Sequence, residues 1–142
     1  MYVRYTFATG GKTQNGINRK FEPVFGAYDK YYVWMNVVQW SNLKNPEIVL
    51  ELFPIPKIWM EIKYLWFFVN DTNEKILGLK VGPSKYLGNE FDIFINHNAN
   101  RNLKLTGVFG LFLVRDAYTS TSIKPNNALF SSFQLLYHIS KI

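Results

Sequence analysis

The sequence predicts an antiparallel all-β fold, and three observations predict it. Apolar and polar residues alternate with a period of two in several stretches, as in strands with one buried face. Segments rich in Gly, Pro and Asn separate these stretches at regular intervals. The aromatic fraction is 18%, which suits the pleated surface of a sheet. Eight strands at this spacing favour a β-sandwich or jelly roll, with a small β-barrel as the alternative.

The eight predicted strands follow the chain in a regular order. They cover residues 2–7, 31–40, 48–53, 57–69, 74–81, 90–96, 103–114 and 129–139. The last stretch also permits a short helix, because Phe130, Phe133 and Tyr137 are helically spaced, but more of its apolar residues fit a period of two. Turns are predicted at Asp71-Thr72-Asn73 and in the Asn-rich stretch 97–102.

Two of these strands carry the predictions about burial. In 57–69, one face is formed by Ile62, Tyr64, Trp66 and Phe68, and we expect this apolar face to be the buried one. Residues 31–40 are apolar on both faces, which predicts a strand covered twice. A two-layered sandwich covers each sheet once, so we expect self-association through the second face.

Composition excludes several classes of chemistry. The chain of 142 residues has no Cys, which excludes disulfides, thiolate nucleophiles and Cys-ligated metals. With two scattered His residues and no phosphate-binding loop, we predict no catalytic residue, no metal and no cofactor. There is no apolar signal segment, and the longest uncharged apolar stretch, 105–114, is too short for a transmembrane helix. We therefore expect one domain, residues 1–142, without a membrane span, in a virion or the cytoplasm.

Charge is distributed unevenly along the chain. The net charge is +6, residues 1–20 contain no acid, and residues 93–142 contain Asp116 as their single acid. Basic chain ends can form a positive surface for nucleic acid or an acidic partner. The alternative is that the surplus of Lys only keeps the protein in solution, since no basic run exceeds Arg19-Lys20.

Four aromatic residues are the candidates for an interface or a ligand platform. They are Tyr32, Trp34, Trp40 and Trp59. Trp59 alternates onto the polar face of its strand, beside Lys57 and Glu61, where a role in the core is harder to explain. Such rings anchor protein interfaces, and they also stack on nucleic-acid bases or sugars.

One pattern resembles the metal-dependent nuclease signature. Pro46-Glu47 is followed by Glu61-Ile62-Lys63, and the resemblance implies two carboxylates that hold Mg²⁺ and a lysine that assists the attacking water. The match covers under twenty residues, places Glu47 where an Asp is usual, and lacks the helices of that fold.

The preferred hypothesis is a non-enzymatic, self-assembling structural protein of the virion type, forming a homo-oligomer or contacting other subunits. The alternatives, in order, are a single-stranded nucleic-acid-binding module, a carbohydrate-binding domain and a Mg²⁺-dependent nuclease.

Overall fold

The fold is all-β in the part of the chain that the structure describes. A computed structural model describes residues 1–11, 17, 21, 35, 38, 41–73, 75–76, 79–80, 84–115 and 126–139. Its strands are β1 (Tyr2–Ala8), β2 (Leu43–Leu52), β3 (Ile58–Val69), β4 (Lys75–Ile76), β5 (Leu79–Lys80), β6 (Tyr86–Asn98), β7 (Leu103–Val114) and β8 (Ala128–Tyr137). The prediction of a strand rather than a helix near the C-terminal end is confirmed by β8.

Six of these strands form one open antiparallel sheet in the order β1-β2-β3-β6-β7-β8. Strands β4 and β5 form a separate pair of two-residue strands within the connection from β3 to β6. The predicted eight-stranded sandwich or jelly roll is therefore not confirmed. Period-two alternation reports which residues share a face, but it does not report whether a second sheet covers that face.

Two of the predicted strands do not correspond to a long strand of the described sheet. The strand predicted at 74–81 is replaced by the short β4–β5 pair, so β3 pairs with β6 and not with its next predicted neighbour. The strand predicted at 31–40 lies mostly outside the described residues. Of its residues, Met35 is in a turn and Val38 in a bend.

Local hydrogen bonds fix the ends of the strands. In the turn between β6 and β7, the Asn100 side chain accepts hydrogen bonds from the backbone N–H groups of Asn102 and Leu103, at 2.8 and 2.9 Å. This confirms the predicted Asn-rich turn. At the opposite end of the sheet, the buried Asn42 side chain exchanges two 2.7 Å hydrogen bonds with the Asp71 backbone and joins the start of β2 to the end of β3.

The apolar core lies on one face of the sheet, which we call the covered face. Leu43, Leu65, Phe67, Val69 and Phe112 are at most 1% exposed there, and Met35 and Val38 pack against them. The Phe67 and Phe112 rings are 5.7 Å apart. The register places Ile62, Tyr64, Trp66 and Phe68 on the opposite face, which we call the open face. These four residues are half-buried, so the predicted inward face of β3 was the wrong one.

Candidate functional site

Charge is divided sharply between the two faces of the sheet. Residues directly opposite each other in antiparallel strands share a face, so the register assigns every strand residue to one side. In the described sheet the covered face carries Arg4, Glu47, Glu51, Glu61, Lys63, Glu90, Asp92 and Lys104. The open face of the same six strands carries one formal charge, that of Lys44.

Two ion pairs organise the polar part of the covered face. Arg4 Nε lies 2.8 Å from Glu47 Oε1 across the β1–β2 pair. Lys63 Nζ lies 2.7 Å from Glu61 Oε1, two residues away on the same face of β3. Both carboxylates are largely buried, whereas half of the Arg4 side chain is exposed. Each buried carboxylate on β2 and β3 thus has a cationic partner.

Glu90 and Asp92 are the buried carboxyl groups of this described face that have no ion pair with a basic side chain. They occupy alternate positions of β6 and are 0% and 1% exposed. Glu90 Oε1 accepts a 3.4 Å hydrogen bond from the Met35 backbone N–H. In the described structure, Glu90 Oε2 and both Asp92 carboxyl oxygens have no hydrogen-bond partner. Two neighbouring buried carboxylates repel each other and lose hydration, so this pair opposes folding when both are charged.

The open face is apolar and accessible along its whole width. Val3, Leu129 and Phe133 are between 69% and 72% exposed, and central strands also leave large side chains exposed. The exposed apolar side chains of this face include Tyr5, Phe7, Ile48, Ile95, Phe109, Leu135 and Tyr137. Soluble monomers rarely expose a contiguous apolar patch of this extent. This face therefore needs a cover.

Aromatic side chains are concentrated at one end of the open face. Two adjacent rows of the register contain Phe7, Phe68 and Tyr86, and then Tyr5 and Trp66; we call these five residues the aromatic band. Phe68 stacks on Tyr86 with ring centroids 5.0 Å apart. The Lys44 amine lies 5.9 Å from the Phe7 ring centroid. The lone cation of the open face therefore sits within the aromatic band.

The aromatic band is joined to a small polar network. The Tyr86 hydroxyl donates a hydrogen bond to Asn89 Oδ1, and Asn89 Nδ2 donates one to the Tyr64 hydroxyl at 2.7 Å. Asn89 is 7% exposed, so its amide is both buried and hydrogen-bonded on the mainly apolar open face. These contacts hold the tyrosine rings in fixed orientations.

Of the four predicted aromatic residues, Trp59 is the one that lies among the described residues. Its ring packs edge-on against Phe94 at 5.2 Å on the covered face, at the end of the sheet opposite the aromatic band. It also borders an apolar groove of about 510 Å³ formed by the 53–57 turn and Asn98. Its role in binding stays a prediction. Tyr32, Trp34 and Trp40 lie outside the described residues.

The nuclease-like residues share the covered face but form ion pairs. Glu47, Glu61 and Lys63 are on adjacent strands, and each carboxylate is paired with a basic side chain. No group of three or more His, Cys, Asp or Glu side chains that suits a metal ion occurs among the described residues. The arrangement therefore gives no support to a two-carboxylate Mg²⁺ site.

Comparison with known proteins shows the family. The sequence profile described as alginate export matches residues 1–132, nearly the whole chain, so the chain belongs to the alginate export family. No curated protein and no solved structure is significantly similar to it. The family description points to export, and it gives no support to the predicted virion role. Within the described residues, no helix has the length and apolar character needed to cross a membrane.

Proposed function

We propose that the six-stranded sheet spans a membrane as part of an export protein, with its open face against lipid. The observation that carries the proposal is the division of charge between the faces. A folded protein in water places its charges outward and its apolar faces inward. This sheet places its carboxylates on the covered face and leaves the apolar face accessible. Strands that cross a lipid bilayer likewise carry apolar side chains on the lipid-facing side and polar side chains on the opposite side.

The dimensions of the open face support the proposal. On β3, apolar or aromatic open-face residues run from Ile58 to Phe68. Ten residue steps of about 3.3 Å give a span of about 33 Å along the strand. At the usual strand tilt of about 40°, this span projects to about 25 Å, the height of the apolar band of membrane-spanning sheets. Strands β6 and β7 are of similar length, with 13 and 12 residues.

The connections are also of the expected kind. Every neighbouring pair in the sheet is antiparallel and follows the order of the chain. At one end the strands are joined by the short turns 53–57 and 99–102, and at the other by the longer segments 9–42, 70–85 and 115–127. Membrane-spanning antiparallel sheets have this asymmetry between short turns on one side and longer loops on the other.

The sheet edges require further strands. In the described sheet, β1 and β8 each have one neighbour, and most of β8 is exposed on both faces. An unpaired backbone N–H or C=O group costs several kcal/mol in lipid. Since β1 and β8 run in opposite directions, added strands can continue the antiparallel order from either edge. The proposal includes such added strands.

The family description suggests the transported substrate, but the covered face restricts how this chain contributes. Alginate is a polyanion, and the described covered face has more acidic than basic side chains. We therefore propose that these strands form part of the wall of an export protein, in a non-enzymatic role, without themselves binding the polyanion. Homo-oligomer formation and nucleic-acid contact through the basic chain ends stay predictions.

This proposal replaces the expectation that the chain has no membrane span. That expectation rested on uninterrupted apolar stretches. In a strand only alternate residues face lipid, so charged residues such as Glu90 and Asp92 are compatible with an apolar outer surface.

The experiment compares two tryptophans on opposite faces of β3. Two single-tryptophan proteins retain either Trp66 on the open face or Trp59 on the covered face, with the remaining tryptophans changed to Phe. Each is reconstituted into phosphatidylcholine vesicles with and without brominated acyl chains. We expect bromine to quench Trp66 emission strongly and Trp59 emission weakly.

Two outcomes would contradict the proposal. Equal quenching of both tryptophans would show that the open face is not the lipid-facing one. A detergent-free oligomer in which Trp66 is shielded from acrylamide, combined with failure to enter vesicles, would support protein–protein association through this face instead.

A further inference from the structure

Lys44 is the exception to the division of charged side chains between the two faces of the sheet. Every other formally charged side chain of the six described strands lies on the covered face, whereas Lys44 lies on the open face, opposite Phe7 on β1 and Phe68 on β3. Burying a lone ammonium in lipid is costly. A lysine on this face therefore needs a specific position and a specific partner.

The position of Lys44 meets this need. It is the second residue of β2, at the end of the sheet where the long connections begin. The aromatic band surrounds it in the register. Trp and Tyr concentrate where acyl chains meet headgroups, and a lysine near the end of a membrane-spanning segment extends its amine toward that boundary.

The partner of Lys44 is not supplied by the described part of the chain. Its amine contacts the Phe7 ring and forms no ion pair or hydrogen bond with a described residue. The Tyr86 and Asn89 side chains bond to each other and not to the Lys44 amine. No acidic side chain occurs on the open face of the described strands.

We infer that Lys44 and the aromatic band bind the phosphate of a phospholipid headgroup, with the rings packing against the upper acyl chain. The inference rests on the proposed membrane-spanning function. Charge complementarity selects the ligand, since a phosphodiester is the anion that a bilayer presents at this depth.

The test uses the whole chain in dodecyl maltoside, a detergent without phosphate. Short-chain phosphatidylglycerol is titrated in, and the shift of the thermal unfolding midpoint gives an apparent affinity. The variant is Lys44→Met, and the matched control is Lys104→Met, which removes the same charge from the exposed end of the covered face. One lysine near a headgroup contributes about 1 kcal/mol, so we expect Lys44→Met to weaken the affinity about fivefold. Lys104→Met should leave the affinity unchanged, and Lys44→Arg should retain it.

Three results would overturn the inference. The first is an unchanged affinity in Lys44→Met. The second is an equal loss in Lys104→Met, which would indicate non-specific attraction. The third is the same stabilisation by free inorganic phosphate, which would indicate a small-anion site. Quenching of Trp66 by brominated phosphatidylcholine separates the two proposals: if it persists while Lys44→Met has no effect, only the lipid site is wrong.

Discussion

The substitution Phe109→Lys tests whether the open face contacts lipid, and the position of Phe109 in the sheet sets the expected loss of folding free energy. Phe109 is 38% exposed on the open face of β7, and it lies six residues from Leu103 and four from Leu113, the outermost open-face residues of that strand. This position corresponds to the middle of the apolar span. A lysine at the midplane of a lipid-facing strand costs about 2–4 kcal/mol. The ratio of folded to unfolded protein should therefore fall by about 30-fold to about 900-fold.

The control substitution uses the same strand. Thr106→Lys places the same side chain on the covered face, in a polar row with Asn96 and Gln134. Since this residue is half-buried among polar neighbours, we expect a loss below about 1 kcal/mol. The assay is reversible urea unfolding in dilauroylphosphatidylcholine vesicles, followed by tryptophan emission.

A specific result would refute the reasoning. If Phe109→Lys and Thr106→Lys cost the same within about 0.5 kcal/mol, the open face is not in lipid. A large loss that persists in detergent-free buffer would also refute it, since it would show that protein covers Phe109.

Two further predictions concern the covered face. Phe67→Ala should lower the free energy of unfolding by about 3–5 kcal/mol, because Phe67 is 0% exposed and packs on Phe112; denaturant unfolding measures this loss. Glu90→Gln should raise the thermal midpoint at pH 7, because burial raises the pKa of Glu90 to about 9 and folding therefore requires this carboxyl to take up a proton, which Gln does not need; calorimetry in detergent measures this rise. The adjacent Phe68→Ala and the ion-paired Glu47→Gln are the controls.

The controls define the contradicting outcomes. If Phe68→Ala costs as much as Phe67→Ala in detergent, the two faces of β3 are equally packed and the core assignment is wrong. If Glu90→Gln lowers the midpoint as much as Glu47→Gln does, the Glu90 carboxylate has a stabilising partner.

The sequence predicted which residues share a face, but it did not predict the environment of each face. The alternation of Glu90 and Asp92 with Phe91, Ile93 and Ile95 placed a strand correctly at β6. The rule that apolar side chains face inward then assigned the wrong side of β3, because both sides of that strand carry apolar residues and the structure buries Leu65 and Phe67 instead. The same rule placed Trp66 in the core.

The site was less predictable than the strands. Lys44 was missed because the apolar stretch that predicted this strand begins at residue 48, and Lys44 lies among mostly polar residues before it. In the structure β2 begins at Leu43, and Pro46 lies opposite Tyr5. Contacts such as Lys44 with Phe7 depend on pairing between strands that the long 9–42 segment separates, and alternation within one strand does not specify that pairing.

The order of the strands has a consequence for how the sheet forms. Two hairpins of this sheet, β2–β3 and β6–β7, are closed by the short turns 53–57 and 99–102. Closing a short loop loses little chain entropy, so these two hairpins have the lowest kinetic barriers. The β1–β2 pair requires closure of the 9–42 segment. Assembly is therefore expected to begin at the two short hairpins, which makes β1 a strand that docks late.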